Sequence, residues 1–561
     1  MKRIFWLPLA AAALALGALS DAPRLEAAQE RPAPRVAPAV RQALEAIDAQ
    51  SIRAHVRFLS DDLLEGRDTS ETGGFLAARY LAAELEQLGL KPAGDNGSYY
   101  QQVPFEDGRM DFAASRLTLV RGGNEIPLRM GEEFLLNGGR SQSAELQAPL
   151  LFVGYGITAP EYRHDDYAGL DPKGKVVVVL TGEPESDRDD YFEGKRDTRH
   201  AQGGAKVQLA ASKGAVGVIT ILAGERAASF PWDRFRSFQD RPSFRLADER
   251  APLPALVVRE EGAKQLFSGA GRDWEKVRAE IPAGKVAPQA LPGTIRVVLK
   301  EERVPRPAPN VLAMLEGTDP ELKKQVVVYS AHYDHVGQRP QGEGDRVFNG
   351  AWDNASGTAG VLEVARGFAH LKPGPRRSIL FLFVTGEEKG LLGSQYYVRN
   401  PAVPMEQTAA NINLDMTDIF GVPKELVAQG AEFSSIGTDA EVVAGELGVR
   451  VGKDPTPELG VFTRSDQFSF VQAGVPSVFM RWANEHEGMT PEQSRQMWQQ
   501  KMQTIYHKPA DEFDPSWSWE GMRHHAQQSF LLGLRLANEA QMPRWNEDSR
   551  FNRPRGLPGG D

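Results

Sequence analysis

Cysteine is absent from all 561 residues, so neither a disulfide framework nor a lipid-modified cysteine is available. An excess of basic charge is missing as well. The 65 Lys and Arg against 75 Asp and Glu leave a net charge of −10, and no long basic run occurs, which argues against a nucleic-acid partner. Beyond the first twenty residues no apolar stretch approaches a membrane-spanning helix, so no stable membrane span is expected. No internal repeat is present. What remains is an ordinary soluble composition, 41% apolar and 25% charged, in a chain too long for one hydrophobic core. Two or three domains are expected.

The chain opens Met1-Lys2-Arg3 and continues with an Ala- and Leu-rich run over 4–19 and small residues at 18–20. That pattern predicts a signal peptide over 1–20, and thus an exported protein, periplasmic or extracellular. A Pro/Ala-rich linker over 21–40 comes next. From Val40 to about Leu90 apolar residues recur at helical spacing, as in Ile52, Val56 and Leu59, then Ala77, Leu81 and Leu85, which predicts two helices around a turn-rich 66–74 segment. Residues 116–300 change texture to short β-branched runs bounded by Gly, Pro and Asp, such as 150–155, 175–180 and 216–221, with a few helices, one of them near 205–213. They read as a β-rich insertion. From Asn310 strands and helices alternate: strand-length runs at 326–331, 378–385, 409–414 and 476–480, with helices at 356–371 and 391–399. This predicts a layered α/β domain, three layers with a mixed, mostly parallel sheet and antiparallel edges. The stretch 541–561, rich in Arg, Asn, Pro and Gly, is expected to be a flexible tail.

The chemistry lies in the residues just past each strand. The first strand ends in His332-Tyr333-Asp334-His335, the second in Gly386-Glu387-Glu388, the third in Asp415. Ligands in open α/β sheets gather at the carboxyl ends of strands. Asp353 sits in a Gly- and Ala-containing loop entering a helix and can reach the same edge. Imidazole and carboxylate are donors that zinc accepts, and a second imidazole is best supplied by Tyr506-His507-Lys508-Pro509-Ala510-Asp511. Taken alone, His507 reads as a surface histidine and Glu387-Glu388 as a solvated turn; Asp334 and His335 read as loop caps. Their convergence on one sheet edge favours a metal site.

These motifs resemble the co-catalytic zinc peptidase family that includes secreted bacterial leucyl aminopeptidases and glutamate carboxypeptidase. His-x-Asp, Asp-Asn-Ala-Ser-Gly, Gly-Glu-Glu-x-Gly-Leu-Leu-Gly-Ser, Asn-Leu-Asp-Met and Tyr-His-x-Pro-x-Asp occur here in the family's order, over roughly 310–537. Weaker likeness lies in His55-Val56-Arg57-Phe58-Leu59-Ser60 and Leu64-Glu65-Gly66-Arg67. The resemblance implies a zinc exopeptidase fold with N-terminal part 41–115, main part 301–540 and a protease-associated domain inserted at 116–300. It implies two zinc ions per chain, one on His332 and Asp415, the other on Glu388 and His507, with Asp353 bridging. Glu387 would be the general base and Asp334 the residue orienting His332. Two metals can polarise a peptide carbonyl and activate water. The implied activity is hydrolysis of peptide substrates, with aminopeptidase ahead of carboxypeptidase or dipeptidase; a glutaminyl cyclase and a non-catalytic receptor-like ectodomain are the other readings. Two departures stand out. Trp352 occupies a position where many relatives carry Asp, so that a ring there either reshapes the pocket or packs against the loop. Gln467 stands where His is frequent, in Arg464-Ser465-Asp466-Gln467-Phe468, a segment expected to line the substrate pocket through Arg464 and Gln467.

Overall fold

Two apolar runs alternate their side chains between two hydrophobic layers, which fixes them as strands buried on both faces. In Val326–His332, Val327, Tyr329 and Ala331 enter one core while Val326 and Val328 enter the other. In Ser378–Val384, Ile379, Phe381 and Phe383 divide from Leu380, Leu382 and Val384 in the same way. The computed structural model describes residues 36–556 apart from 137–142, 185, 187, 189, 193, 195–197, 224–231, 234–235, 237–242, 249–251, 285, 340, 342, 455 and 457–459. The expected signal peptide, most of the linker and residues 557–561 lie outside the described residues.

The protein is mixed α/β. Val326–His332 lies between Ser378–Val384 and Thr408–Leu414, parallel to both, and Thr408–Leu414 is parallel to Ser477–Arg481. Antiparallel strands flank this block, Ala308–Leu315 on one side and Glu425–Gln429 on the other. Helices Gly357–His370 and Trp519–Asn538 cover one face together with the N-terminal helices. Tyr397, Met405 and Phe470 cover the opposite face. The register pairs His332 with Val384 and Leu414 with Met480, so neighbouring strands end at one level.

Upstream, three helices stand where two were expected: Pro38–Ala46, Ala49–Leu59 and Thr72–Gln87. Asp48 causes the extra break. Its side chain accepts from the Ser51 N–H and caps a new helix inside what reads as one apolar period. A second, eight-stranded sheet runs from Arg116–Arg121 to Gln289–Leu299 with its own core. A three-stranded sheet of Phe105–Met110, Ser243–Leu246 and Glu301–Pro305 joins it to the first sheet. There Phe105 packs on Phe244 and lies where a side chain on Gly386 would sit.

The stretch after Gln541 departs from expectation through residue 556. Phe551 packs against Phe433 and Phe462, and the Trp545 indole N–H donates to the Gly474 carbonyl at 3.0 Å. Two aromatics in a polar segment suffice to anchor it.

A buried polar chain fastens the C-terminal helices. His486 Nδ1 is 2.9 Å from Ser494 Oγ, and its Nε2 is 2.8 Å from Asp418 Oδ1. The Asp418 N–H donates to His525 Nδ1 at 3.3 Å. Burial depresses His525 to about 4, with the Asp418 charge opposing. A depressed imidazole is neutral in the fold and protonated in the unfolded chain below its ordinary value. Its contribution is therefore present above about pH 6.5 and lost as pH falls towards 4. Wild type should lose roughly 2–3 kcal/mol between pH 7 and 4.5 beyond what His525→Leu loses. Urea midpoints of the two proteins at both pH values test this; equal acid sensitivity contradicts it.

Candidate active site

The aligned strand ends bring the chemistry-bearing residues together. His332 closes its strand, and the Thr358 hydroxyl donates to its carbonyl at 2.8 Å. His332 Nε2 lies 3.3 Å from Asp353 Oδ1, 3.5 Å from Asp415 Oδ1 and 4.0 Å from Glu387 Oε2. The other oxygen of Asp353 lies 3.0 Å from His507 Nε2, which is 3.2 Å from Glu388 Oε1. Asp353 therefore faces two groups at once, His332 with Asp415 and Glu388 with His507.

Much of the loop geometry serves Asp353. Both oxygens of Asp511 accept backbone N–H groups, from Trp352 at 2.9 Å and Asp353 at 3.1 Å. The Asn354 amide donates to the Leu414 carbonyl at 3.1 Å, tying this loop to the strand that delivers Asp415. Arg67, wholly buried, donates to the carbonyls of Leu59, Tyr333, Asn349 and Gly350. It thereby joins the His332 loop to the Asp353 loop through one rigid planar fork. On the far side, Ser465 Oγ donates to Asp415 Oδ2 at 2.7 Å.

Buried polar atoms normally find partners. His332 Nε2, Asp415 Oδ1 and Glu388 Oε1 are buried with no hydrogen-bond partner among the described residues. Donor atoms of His332, Asp353 and Asp415 lie within 4.8 Å of one another, as do those of His335, Asp353 and Glu388. Nitrogen and oxygen lone pairs converging without donors between them suit a cation, and N/O donor sets suit zinc. The residues present therefore fit a metal centre.

The electrostatics agree. Burial would raise Asp353, but the imidazoles of His332 and His507 hold it well below the ordinary carboxylate range. Burial would lower His332, but Glu387, Asp415 and Asp353 together lift it well above the ordinary imidazole value. His507 is lifted to about 10 against burial by Asp353 and Glu388. Glu387 goes the other way. Burial pushes it well up, His332 opposes, and the charges of Glu388, Asp466 and Asp415 add to the rise. A carboxyl whose proton affinity is raised at the edge of this donor cluster is suited to carrying a proton.

Several sequence expectations change in detail. Asp334 is buried beside His332, but the contact at His332 Nδ1 is its backbone carbonyl, at 3.1 Å; its carboxylate is 3.9 Å away. That carboxylate instead accepts from the Thr69 hydroxyl at 3.0 Å and the Glu387 N–H at 3.3 Å, so it positions the Glu387 turn. Gln467 is buried rather than lining a pocket. It accepts from the Asn413 amide at 2.9 Å and donates to the Phe462 carbonyl at 2.7 Å, because its helix packs under the sheet edge. Arg464 is exposed just before that helix. Trp352 is buried, donates to the Thr417 carbonyl at 3.0 Å and packs edge-on against Phe420, so it supports the loop from behind. Sequence alone leaves Arg67, Asp511 and Ser465 unmarked as site supports, although each stands inside a motif that carries the family likeness or flanks the pocket. It also assigns His335 no place in the ligand set.

Fold and site together define an α/β protein with a candidate metal centre on a parallel sheet edge. Residues 310–532 match Peptidase family M28. Among curated relatives, a probable zinc metalloprotease of Pyricularia oryzae is 38% identical over 151 residues, 26% of this chain and 29% of that protein. Leucine aminopeptidase 1 of Trichophyton rubrum is 35% identical over 129 residues, 22% of this chain and 32% of that protein. The chain thus spans less than a third of the length of these relatives. Among solved structures, an aminopeptidase from Aneurinibacillus sp. strain AM-1 is 19% identical with a TM-score of 0.48, covering 90% of this chain and 97% of that one. No helix among the described residues is long and apolar enough to cross a membrane.

Proposed function

We propose that this chain is an exported zinc exopeptidase with a two-zinc centre, acting as an aminopeptidase on peptide substrates. The observation that carries the reading is the placement of Asp353 between two donor groups, with Glu387 beside them. One ion would be held by His332 and Asp415, the other by Glu388 and His507, and Asp353 would serve both. When bound, such ions polarise the scissile carbonyl and make water nucleophilic at neutral pH.

The chain's own residues supply the rest. Glu387, lifted by burial, takes the proton from the attacking water and passes it to the departing amine. Asp334 holds the Glu387 turn through its N–H, and Asp511 holds the Asp353 loop. The cluster of acids suits a substrate's cationic amino terminus. A carboxypeptidase would need a cation for the terminal carboxylate. Of the two candidate cations, Arg464 and Arg481, Arg481 is a poor source, since it is buried with its guanidinium 3.7 Å from the Trp482 ring centre, which leaves the exposed Arg464. The name of the leucine aminopeptidase relative agrees with this choice. Export rests on the charged start and apolar run of residues 1–20. The module at 116–300 is read as a protease-associated domain whose root, through Phe105, abuts the turn before Glu387.

Full-length protein loaded with zinc should release aniline from aminoacyl-anilides. It should leave amino-blocked peptides with free carboxyl termini intact. Cleavage of the blocked peptides alone would overturn the aminopeptidase assignment.

A further inference from the structure

His335 comes directly after the His-x-Asp unit and has no place in the ligand set above. Its side chain is completely buried. Nδ1 lies 2.8 Å from Glu388 Oε1, yet neither ring nitrogen of His335 nor that oxygen has a hydrogen-bond partner among the described residues. At 2.8 Å the two atoms form a close ion-pair contact with poor N–H···O alignment, and a cation between them would satisfy both. A donor atom of His335 also lies within 4.8 Å of those of Asp353 and Glu388. Its ring meets the His507 ring edge-on, with centroids 5.5 Å apart.

The local backbone makes room for this ring. Gly350 adopts φ +58°, and a side chain there would sit 2.6 Å from His335 Cδ2 and Cγ. The Gly350 carbonyl is fixed by Arg67 at 2.8 Å, and the His335 N–H is directed to the Arg67 carbonyl at 3.3 Å. A buried imidazole is thus wedged between a glycine that must stay bare and the carboxylate of Glu388. His507 contrasts with it. That residue has a side chain 38% exposed and stands just past a helix in which Ser494 alone is buried.

We propose that His335 is a further metal ligand, lending Nδ1 to the ion held by Glu388, His507 and Asp353. The inference rests on the two-zinc reading and deepens it. The second half of the centre then has an internal imidazole, and the exposed His507 is not its sole nitrogen donor.

Zinc and cobalt titrations of the full-length metal-free protein test this, with His335→Ala and His335→Phe alongside. The Phe variant keeps the ring and removes the nitrogens, so packing and ligation separate. Thermal melts of the metal-free proteins report whether each variant folds. Wild type should take up two ions. Both variants should keep one ion at unchanged affinity and bind the other at least about 10–100-fold more weakly, the loss known for weaker, outer contacts to metal ligands. The visible absorption of the cobalt-loaded protein should change as well, because a ligand is lost. Unchanged affinity for both ions in the Phe variant overturns the inference while leaving the two-zinc reading intact. A weaker second ion with an unchanged cobalt spectrum also overturns it, since His335 would then act only on Glu388. A wild type that takes up one ion overturns the two-zinc reading itself.

Discussion

Glu387→Gln should abolish most hydrolysis while leaving the metal content unchanged. The substitution keeps size and hydrogen-bonding reach but removes the proton-accepting oxygen. Glu387 Oε2 is 4.0 Å from His332 Nε2, beyond the 3.3 Å and 3.5 Å contacts of Asp353 and Asp415 with that nitrogen. It therefore stands beside the donor group without being needed to complete it. General acid–base catalysis contributes on the order of 10²–10⁴ in rate, and kcat should fall by that factor. KM should move much less, because the proposed metal centre is kept. Metal analysis of the same preparation separates this from simple loss of zinc. A variant that keeps wild-type kcat, or loses zinc in step with activity, removes Glu387 from the proton-carrying role.

Asp353→Ala should have the broadest effect of any single substitution. Its two oxygens face His332 at 3.3 Å and His507 at 3.0 Å, so one deletion touches both donor groups. Without that carboxylate the two imidazoles and the acids Asp415 and Glu388 lose their shared counter-charge. Removing a partner that only supports a ligand costs about 10–100-fold in metal affinity, and removing the proposed shared ligand should exceed that. Zinc content after dialysis should drop to one ion or fewer, with hydrolysis at background. Fold retention is checked by circular dichroism, since the loop keeps its Asp511 bonds through backbone N–H groups. Two zinc ions retained by Asp353→Ala would contradict the shared role.

Strand and helix identities in the second half were legible because each layer imposes its own period. Val327, Tyr329 and Ala331 face one core and Val326 and Val328 the other, so the apolar run is continuous and short. The expected helix over 356–371 lies at Gly357–His370 for the related reason that its stripe meets the N-terminal and C-terminal helices. Legibility failed where a single side chain decides the outcome. Asp48 splits one helical period by capping a second helix, and Phe551 with Trp545 holds a stretch whose composition suggests disorder. Gln467 failed differently. Its polarity suggests a pocket wall, but its amide is consumed by Asn413 and the Phe462 carbonyl, partners that only folding brings near.

The sequence by itself determined the kinds of donor, their order and their places after strands. It does so because strand ends in a parallel sheet share one edge and local period reveals where each strand stops. Tertiary structure alone decided which atoms meet. Asp353 and His507 are far apart in the chain, and their 3.0 Å contact depends on Asp511 holding one loop and a short polar chain fastening the helix before the other. The same holds for His335, whose burial against Glu388 depends on a bare Gly350 and on the Arg67 guanidinium reaching across from the N-terminal segment. Contacts of that kind carry no periodic signal along a chain, since they are set by packing between segments.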